Sequence, residues 1–518
     1  MSRPHGIDVL HPFAAIVAVL LFVAAGMAQQ FPAPEANSLS DAKQDSAESR
    51  VAQEANQGSQ PESDSERQSD QQSEAQTPKS GPKITPEQAE QLFRDVDTIL
   101  DFASKDTALP IKRRVKRRLT SREEVVSYLR KNMAEDKDVQ RLRRTELVLK
   151  KFGLLPKDFN LQTFLVSLLE EQVAGYYDAK TRTVNLLDWV SPDLQRPVLA
   201  HELTHALQDQ SFGLDKWLKR GNDDLDSKKD LKPEDIPKDE NSEARQAVVE
   251  GQAMVVLVDY MLAPVHRTVA NSPEMIEMLN EGMAAGTSDS KVYQGAPIFM
   301  KEALTFPYRY GVEFEAELVR EQGKEKAFTM TFQNPPQTSR EIMEPQTYIA
   351  GERVPPLPLP DFKKILKNYE RFDVGAIGEF DVAVLAEQYA GVEASRRIYP
   401  NWRGGYYYSV HPKGKQSAPL ELVFVSKWSN PKAAAQFAAI YARGMQQRYK
   451  DVTAPSDSSL PSDLKDLKTL GGDHTWNTEE GPVVIDVKND SVLVTESLEP
   501  AITEQFRQVV FANAPQPQ

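Results

Sequence analysis

Residues 201–210 read His-Glu-Leu-Thr-His-Ala-Leu-Gln-Asp-Gln, and the chain is organised around whether His201 and His205 share one helical face. In an α-helix, positions i and i+4 lie one above the other, so both imidazoles can reach one metal ion while Glu202 sits beside them. The chain holds 7 histidines in 518 residues. A chance HExxH is then expected roughly 0.01 times or less from composition alone. The bland alternative is a helix that happens to carry two histidines. The flanks favour the functional reading: Pro197 suits a first helical turn, Leu199, Leu203, Ala206 and Leu207 form an apolar stripe, and Gly213 supplies a stop. The motif predicts a zinc site that carries its own base.

A third ligand must come from elsewhere. The chain has no cysteine, so that ligand is His, Asp or Glu. EARQAVVEGQAMVVLVDYML, residues 243–262, reads as a largely buried helix that ends before Pro264. Glu250 stands in its apolar run, between Val249 and Gly251. An ionised carboxylate there is costly unless paired, and a metal is the partner the chain otherwise lacks. Gly251 costs a helix about 1 kcal/mol relative to alanine, which suggests close approach of another backbone. Glu250 is therefore the expected third ligand, against the competing reading of a glutamate paired with arginine or backbone donors. Glu243, seven residues earlier on the same face, is the reserve.

Composition narrows the setting. A net charge of -14 argues against a nucleic-acid partner, which usually leaves a basic footprint. Arg3 and His5 precede an apolar run, Phe13 to Ala28, that closes in small residues, as an export signal does. That run is shorter than the roughly 20 residues of a membrane span. We expect a cleaved signal over 1–28, no stable span once it is cut, and an extracytoplasmic protein, periplasmic or secreted, with an uncleaved anchor as the alternative. Residues 29–83, rich in Gln, Ser and Glu, bury too little to offset the entropy of ordering and read as a disordered linker.

Folded sequence starts near Ile84. Thr85-Pro86-Glu87 opens a helix, and Thr120-Ser121-Arg122-Glu123 is a capping-box pattern for another. Between them IKRRVKRRL, residues 111–119, spaces Ile111, Val115 and Leu119 four apart, as in an amphipathic segment with a solvated cationic face. GYYDAKTRTVNLL, residues 175–187, reads as a hairpin delivered directly before the HELTH helix, and its edge could hold an extended peptide. ERVPPLPLP, residues 352–360, reads as a connector. After it, strands at 405–410 and 420–426, a helix at 431–449, a hairpin around Asn489-Asp490 and a closing helix at 500–512 give the order ββαββα. Trp402, Tyr406, Tyr407 and Tyr408 are expected to pack in that unit.

With His201, Glu202, His205 and a distant glutamate in place, the chain resembles the gluzincin branch of zincin metallopeptidases. HELTHALQDQ is similar to the motif helix of thermolysin-type enzymes, and VVEGQA to their glutamate-bearing helix. Together with GYYDAKTRTVNLL, PPQTSREIMEP and GEFDVAVLAEQY, these stretches resemble a poorly characterised bacterial family of exported HExxH metalloproteases over roughly residues 161–408. A connector with helices over 351–400 and a smaller α+β domain over 401–518 are read from their own residue patterns, so the expected class is α+β. The resemblance implies a helix-rich zincin-like metallopeptidase domain over 84–350. It also implies zinc-dependent hydrolysis of a peptide or protein substrate, with His201, His205 and Glu250 on the metal and Glu202 as general base. A non-catalytic zincin-like envelope module that binds a protein or wall polymer is the alternative. One departure stands out. Thermolysin-type enzymes carry an aspartate four residues after the glutamate ligand, and here that position is Met254. Asp209 could bond a ligand histidine or cap its helix, and Tyr260, His266, Tyr308 and Tyr310 are the candidate donors to a developing oxyanion.

Overall fold

The computed structural model describes residues 83–512, except 134–135, 173–174, 220–229, 287–289, 454–459 and 461–463. The expected export signal and nearly all of the polar linker lie outside the described residues.

Thr85 caps α1 (Pro86–Thr107): its hydroxyl accepts from Gln88 N while the Gln88 amide oxygen accepts from Thr85 N. Then come β1 (Lys116–Thr120), α2 (Arg122–Met133), α3 (Asp136–Phe152) and α4 (Leu161–Gln172), followed by β2 (Tyr176–Asp178) and β3 (Thr183–Leu187). β2 and β3 form the expected hairpin, and the Asp178 carboxylate closes its turn by accepting from Lys180 N and Thr181 N. β1 pairs in parallel with β3, giving the sheet order β1-β3-β2.

That pairing makes the last residues of IKRRVKRRL a strand, a secondary structure the amphipathic reading left open, and leaves Lys112, Arg114, Lys116 and Arg118 exposed as that reading expects. A spacing of four is a multiple of two, so Ile111, Val115 and Leu119 fit a strand's alternation as well as a helical stripe. Three of its six cations are paired, Arg113 with Asp209, Arg117 with Asp97 and Arg118 with Glu124, and Lys112, Arg114 and Lys116 are exposed. The cap of α2 falls one residue later than the TSRE pattern suggests, since Ser121 and Glu124 exchange the reciprocal bonds.

The HELTH helix is α5 (Pro192–Phe212). It begins at Pro192 and leaves Pro197 inside, earlier than expected. It ends as expected at Gly213, whose φ of 69° and N–H bond to Asp209 O form a left-handed cap. Every side chain from Pro197 to Gln208 is buried, so α5 is a central helix rather than a one-sided surface helix. α6 (Lys238–Leu262) packs on α5 and on α8 (Ile298–Gln322), with α7 (Glu274–Gly286) between them in sequence and α9 (Lys324–Gln333) after. α6 is long and apolar enough to cross a membrane, but its apolar residues are buried in this packing. The close approach expected at Gly251 is present, since a Cβ built there would lie 2.2 Å from Gly311 O on α8.

The C-terminal part is larger than ββαββα. β4 (Tyr369–Ala376) and α10 (Glu379–Ala390) precede β5 (Trp402–Pro412), β6 (Glu421–Trp428), α11 (Pro431–Arg448), β7 (Val452–Thr453), β8 (Gly472–Thr478), β9 (Gly481–Lys488), β10 (Ser491–Glu496) and α12 (Pro500–Ala512). The sheet has seven strands in the order β4-β5-β6-β10-β9-β8-β7, every pair antiparallel. β4 lies in the stretch expected to be connector and helices, while β7 and β8 were not expected. Asn489 turns the β9–β10 hairpin at φ 56°. Trp402, Tyr406, Tyr407 and Tyr408 are all buried. Tyr407 and Phe424 face α11 and the helical half, whereas Tyr406, Tyr408 and Val425 face α12 and Phe362. One hydrophobic core runs from Leu92 on α1 to Val494 on β10, so the helical half and the sheet share an interior.

Candidate metal centre

α5 supplies His201, Glu202 and His205, and α6 supplies Glu250. His201 Nε2 lies 3.1 Å from Glu250 Oε2, and His205 Nε2 lies 3.4 Å from the same oxygen and 3.0 Å from His201 Nε2. All four residues are buried. Among the described residues, His201, His205 and Glu250 are the group of three whose ligand atoms can hold one metal ion. A tetrahedral zinc with bonds of about 2.0–2.1 Å sets its ligand atoms about 3.3 Å apart, which the observed triangle fits. Glu243, the reserve ligand, is half-buried and stands outside the group.

Electrostatics point the same way. Burial drives His201 down to about 4, with Glu250 opposing. His205 is raised to about 9: burial pulls it down, and Glu250 and Glu202 together outweigh that. Burial would lift Glu250, yet the two histidines hold it at about 2. Two carboxylates and two imidazoles thus converge where a positive charge is favoured.

Glu202 faces the hairpin. Its Oε2 accepts a 2.7 Å bond from Tyr177 N on β2, while its Oε1 is buried with no hydrogen-bond partner. Burial raises its carboxyl to about 7, with His205 opposing. Tyr308 on α8 is the oxyanion candidate that reaches the site. Its ring centroid is 6.4 Å from that of His201, and burial together with Glu250 and Glu202 raises its phenol well above the usual value. Tyr260 instead packs edge-on to Phe102, His266 sits in a left-handed turn after α6, and Tyr310 bonds Arg309.

Sequence reasoning missed Gln208. His205 Nδ1 lies 2.9 Å from Gln208 Oε1, and Gln208 Nε2 donates to Val249 O at 3.1 Å and to Gln252 Oε1 at 3.0 Å. Asp209, weighed as a histidine partner, accepts from Arg113, Tyr177 OH and Leu214 N instead. Met254 is buried among the apolar residues of the core. His201 Nδ1 is buried with no hydrogen-bond partner, so of the two candidate ligand histidines His205 has an amide partner and His201 has none. The signal for Gln208 was its place three residues after His205, on the same helical face.

Comparison with protein-family models, curated proteins and solved structures returned no match.

Proposed function

We propose that this protein is a zinc-dependent peptidase working outside the cytoplasm. His201, His205 and Glu250 hold the metal, and Glu202 is the general base. The observation that carries the reading is the convergence of two Nε2 atoms and one carboxylate oxygen beside a second, half-bonded carboxylate. Zinc held there supplies a Lewis acid that polarises a carbonyl and acidifies water.

The chain's own groups do the rest. The Tyr177 N–H pins Glu202 Oε2, which leaves Oε1 free to take a proton from water and return it to the leaving amine. The Tyr308 hydroxyl is the donor for negative charge developing on the scissile carbonyl oxygen. Among the described residues β2 is an edge strand that pairs with β3 alone, and its Tyr177 N–H is held by Glu202, so an extended substrate can lie along the rest of that edge next to the base. The export-like N-terminus supports an extracytoplasmic setting.

The test is chelator-sensitive cleavage of a mixed peptide pool by zinc-loaded protein, with metal content measured in parallel. Glu202→Gln should keep its zinc and lose about 10²–10⁴-fold in rate. Wild-type turnover by that variant removes Glu202 from the role of base. A zinc-loaded wild-type protein that cleaves nothing favours the non-catalytic envelope module.

A further inference from the structure

Asn and Gln amides are ambiguous until a neighbour of fixed polarity decides which end is which. Here the deciding neighbours are present. Val249 O can only accept, so the Gln208 NH₂ faces it and Gln208 Oε1 faces His205. His205 Nδ1 must then be the donor, so Nε2, which faces Glu250 and His201, is the nitrogen left for a metal.

The chain of assignment continues beyond Gln208. Gln208 donates to Gln252 Oε1, so the Gln252 NH₂ points away, to Thr331 Oγ1 at 3.0 Å and Ala327 O at 3.4 Å. Thr331 gives its own hydroxyl proton to Ala327 O, which leaves its oxygen free to accept. Every direction in the row is consistent. Gln208, Gln252 and Thr331 are all fully buried, so water does not compete for these bonds. The row runs from α5 through α6 to α9, and it meets α6 at Val249, the residue before ligand Glu250.

We propose that Gln208 is a positioning residue that fixes the tautomer and ring orientation of His205 for the metal, and that Gln252 fixes which way the Gln208 amide points. This rests on the reading of His201, His205 and Glu250 as metal ligands. It gives the site a neutral amide partner for one histidine, anchored to the helix that carries the third ligand.

The test measures zinc affinity by competition with a chromophoric chelator for wild type, Gln208→Met, Gln208→Glu and Gln252→Leu, with melting in excess chelator for each. Loss of an outer partner should weaken zinc binding about 10–100-fold in Gln208→Met. Gln208→Glu keeps an acceptor for His205 and should stay near wild type, with Gln252→Leu in between. Both Gln208 variants lose the amide donors to Val249 and Gln252, so a merely structural role lowers zinc affinity in both alike. Wild-type affinity in Gln208→Met, or a Gln208→Glu as weak as Gln208→Met, overturns the proposal. Zinc binding by wild type without peptide cleavage overturns the peptidase reading and leaves this one standing.

Discussion

Glu250 on α6 and Glu496 on β10 are both fully buried carboxylates set among cationic and aromatic groups, and their surroundings differ in completeness. Glu496 Oε1 accepts from Tyr441 OH and Arg448 Nη1, both at 2.7 Å, and its Oε2 accepts from Tyr449 OH at 2.6 Å with Lys151 Nζ at 3.7 Å. The Arg448 Nε and Nη2 groups have no hydrogen-bond partner, but the guanidinium lies 4.7 and 5.3 Å from the Tyr441 and Tyr449 ring centroids. Arg448 also donates to Lys151 O, tying α3 to the end of α11. At Glu250, Oε1 accepts from Gln246 Nε2 at 2.7 Å and Oε2 faces two imidazoles crowded nitrogen to nitrogen, while beside them Glu202 Oε1 stays unpartnered. A buried carboxylate bonded on both oxygens by an arginine and two phenols holds a fold together, whereas two imidazole nitrogens and a carboxylate oxygen crowded around one point, beside the free Glu202 Oε1, invite a cation to complete them.

Substitution should separate the two sites. Glu250→Ala removes a proposed ligand, so zinc affinity should fall by more than the roughly 10–100-fold that an outer partner costs. Melting in excess chelator should move less than it does for Glu496→Ala, and the reverse order would undo the contrast. Glu496→Ala leaves Arg448 buried without its carboxylate and should cost about 3–5 kcal/mol of stability, with zinc affinity of the folded protein unchanged. Denaturant titration with and without metal checks both halves of that statement. Tyr308→Phe should keep zinc and fold and lose about 10²-fold in kcat, the lower end for removal of one oxyanion donor. An unchanged kcat would return Tyr308 to the core. Gly251→Ala should cost about 1–3 kcal/mol and lower zinc affinity as well, because its new methyl meets backbone one residue from Glu250.

The smallest expected effect is on pH. Burial would raise the Glu496 carboxyl, but Arg448 and Lys151 hold it below its ordinary value. Its stabilisation is therefore complete above the unfolded pKa of about 4.3 and fades as pH falls through the lower folded value. Below about pH 4.3 wild type should lose melting temperature more steeply than Glu496→Gln, and parallel acid limbs would show that Glu496 contributes nothing there.

Much of the centre was legible in the sequence because its signals are local. HELTH needs only the helical period, and Glu250 announces itself as a carboxylate in an apolar run. The partners were illegible because they are backbone groups or distant side chains: the Tyr177 N–H that holds Glu202, and the Val249 carbonyl that orients Gln208. The sheet repeats the pattern. β9, β10 and α12 alternate or cap clearly, whereas β8 buries only Trp476 among polar residues, and β4 is buried only from Asp373 onward, just after a proline-rich run. β1 was not resolved from the sequence because its periodicity suits two structures and only its pairing with β3 decides between them.

The touch of Gly251 against Gly311 reaches beyond packing. Where two main chains rest on each other without side chains between them, no rotamer exists through which the helices can slip. Glu250 is one residue from that contact and Tyr308 three, so both ride on the same joint. The chain has in effect welded its jig at a place where any added methyl would shift the workpiece, and mutational drift at those two positions is closed for as long as the centre needs its alignment.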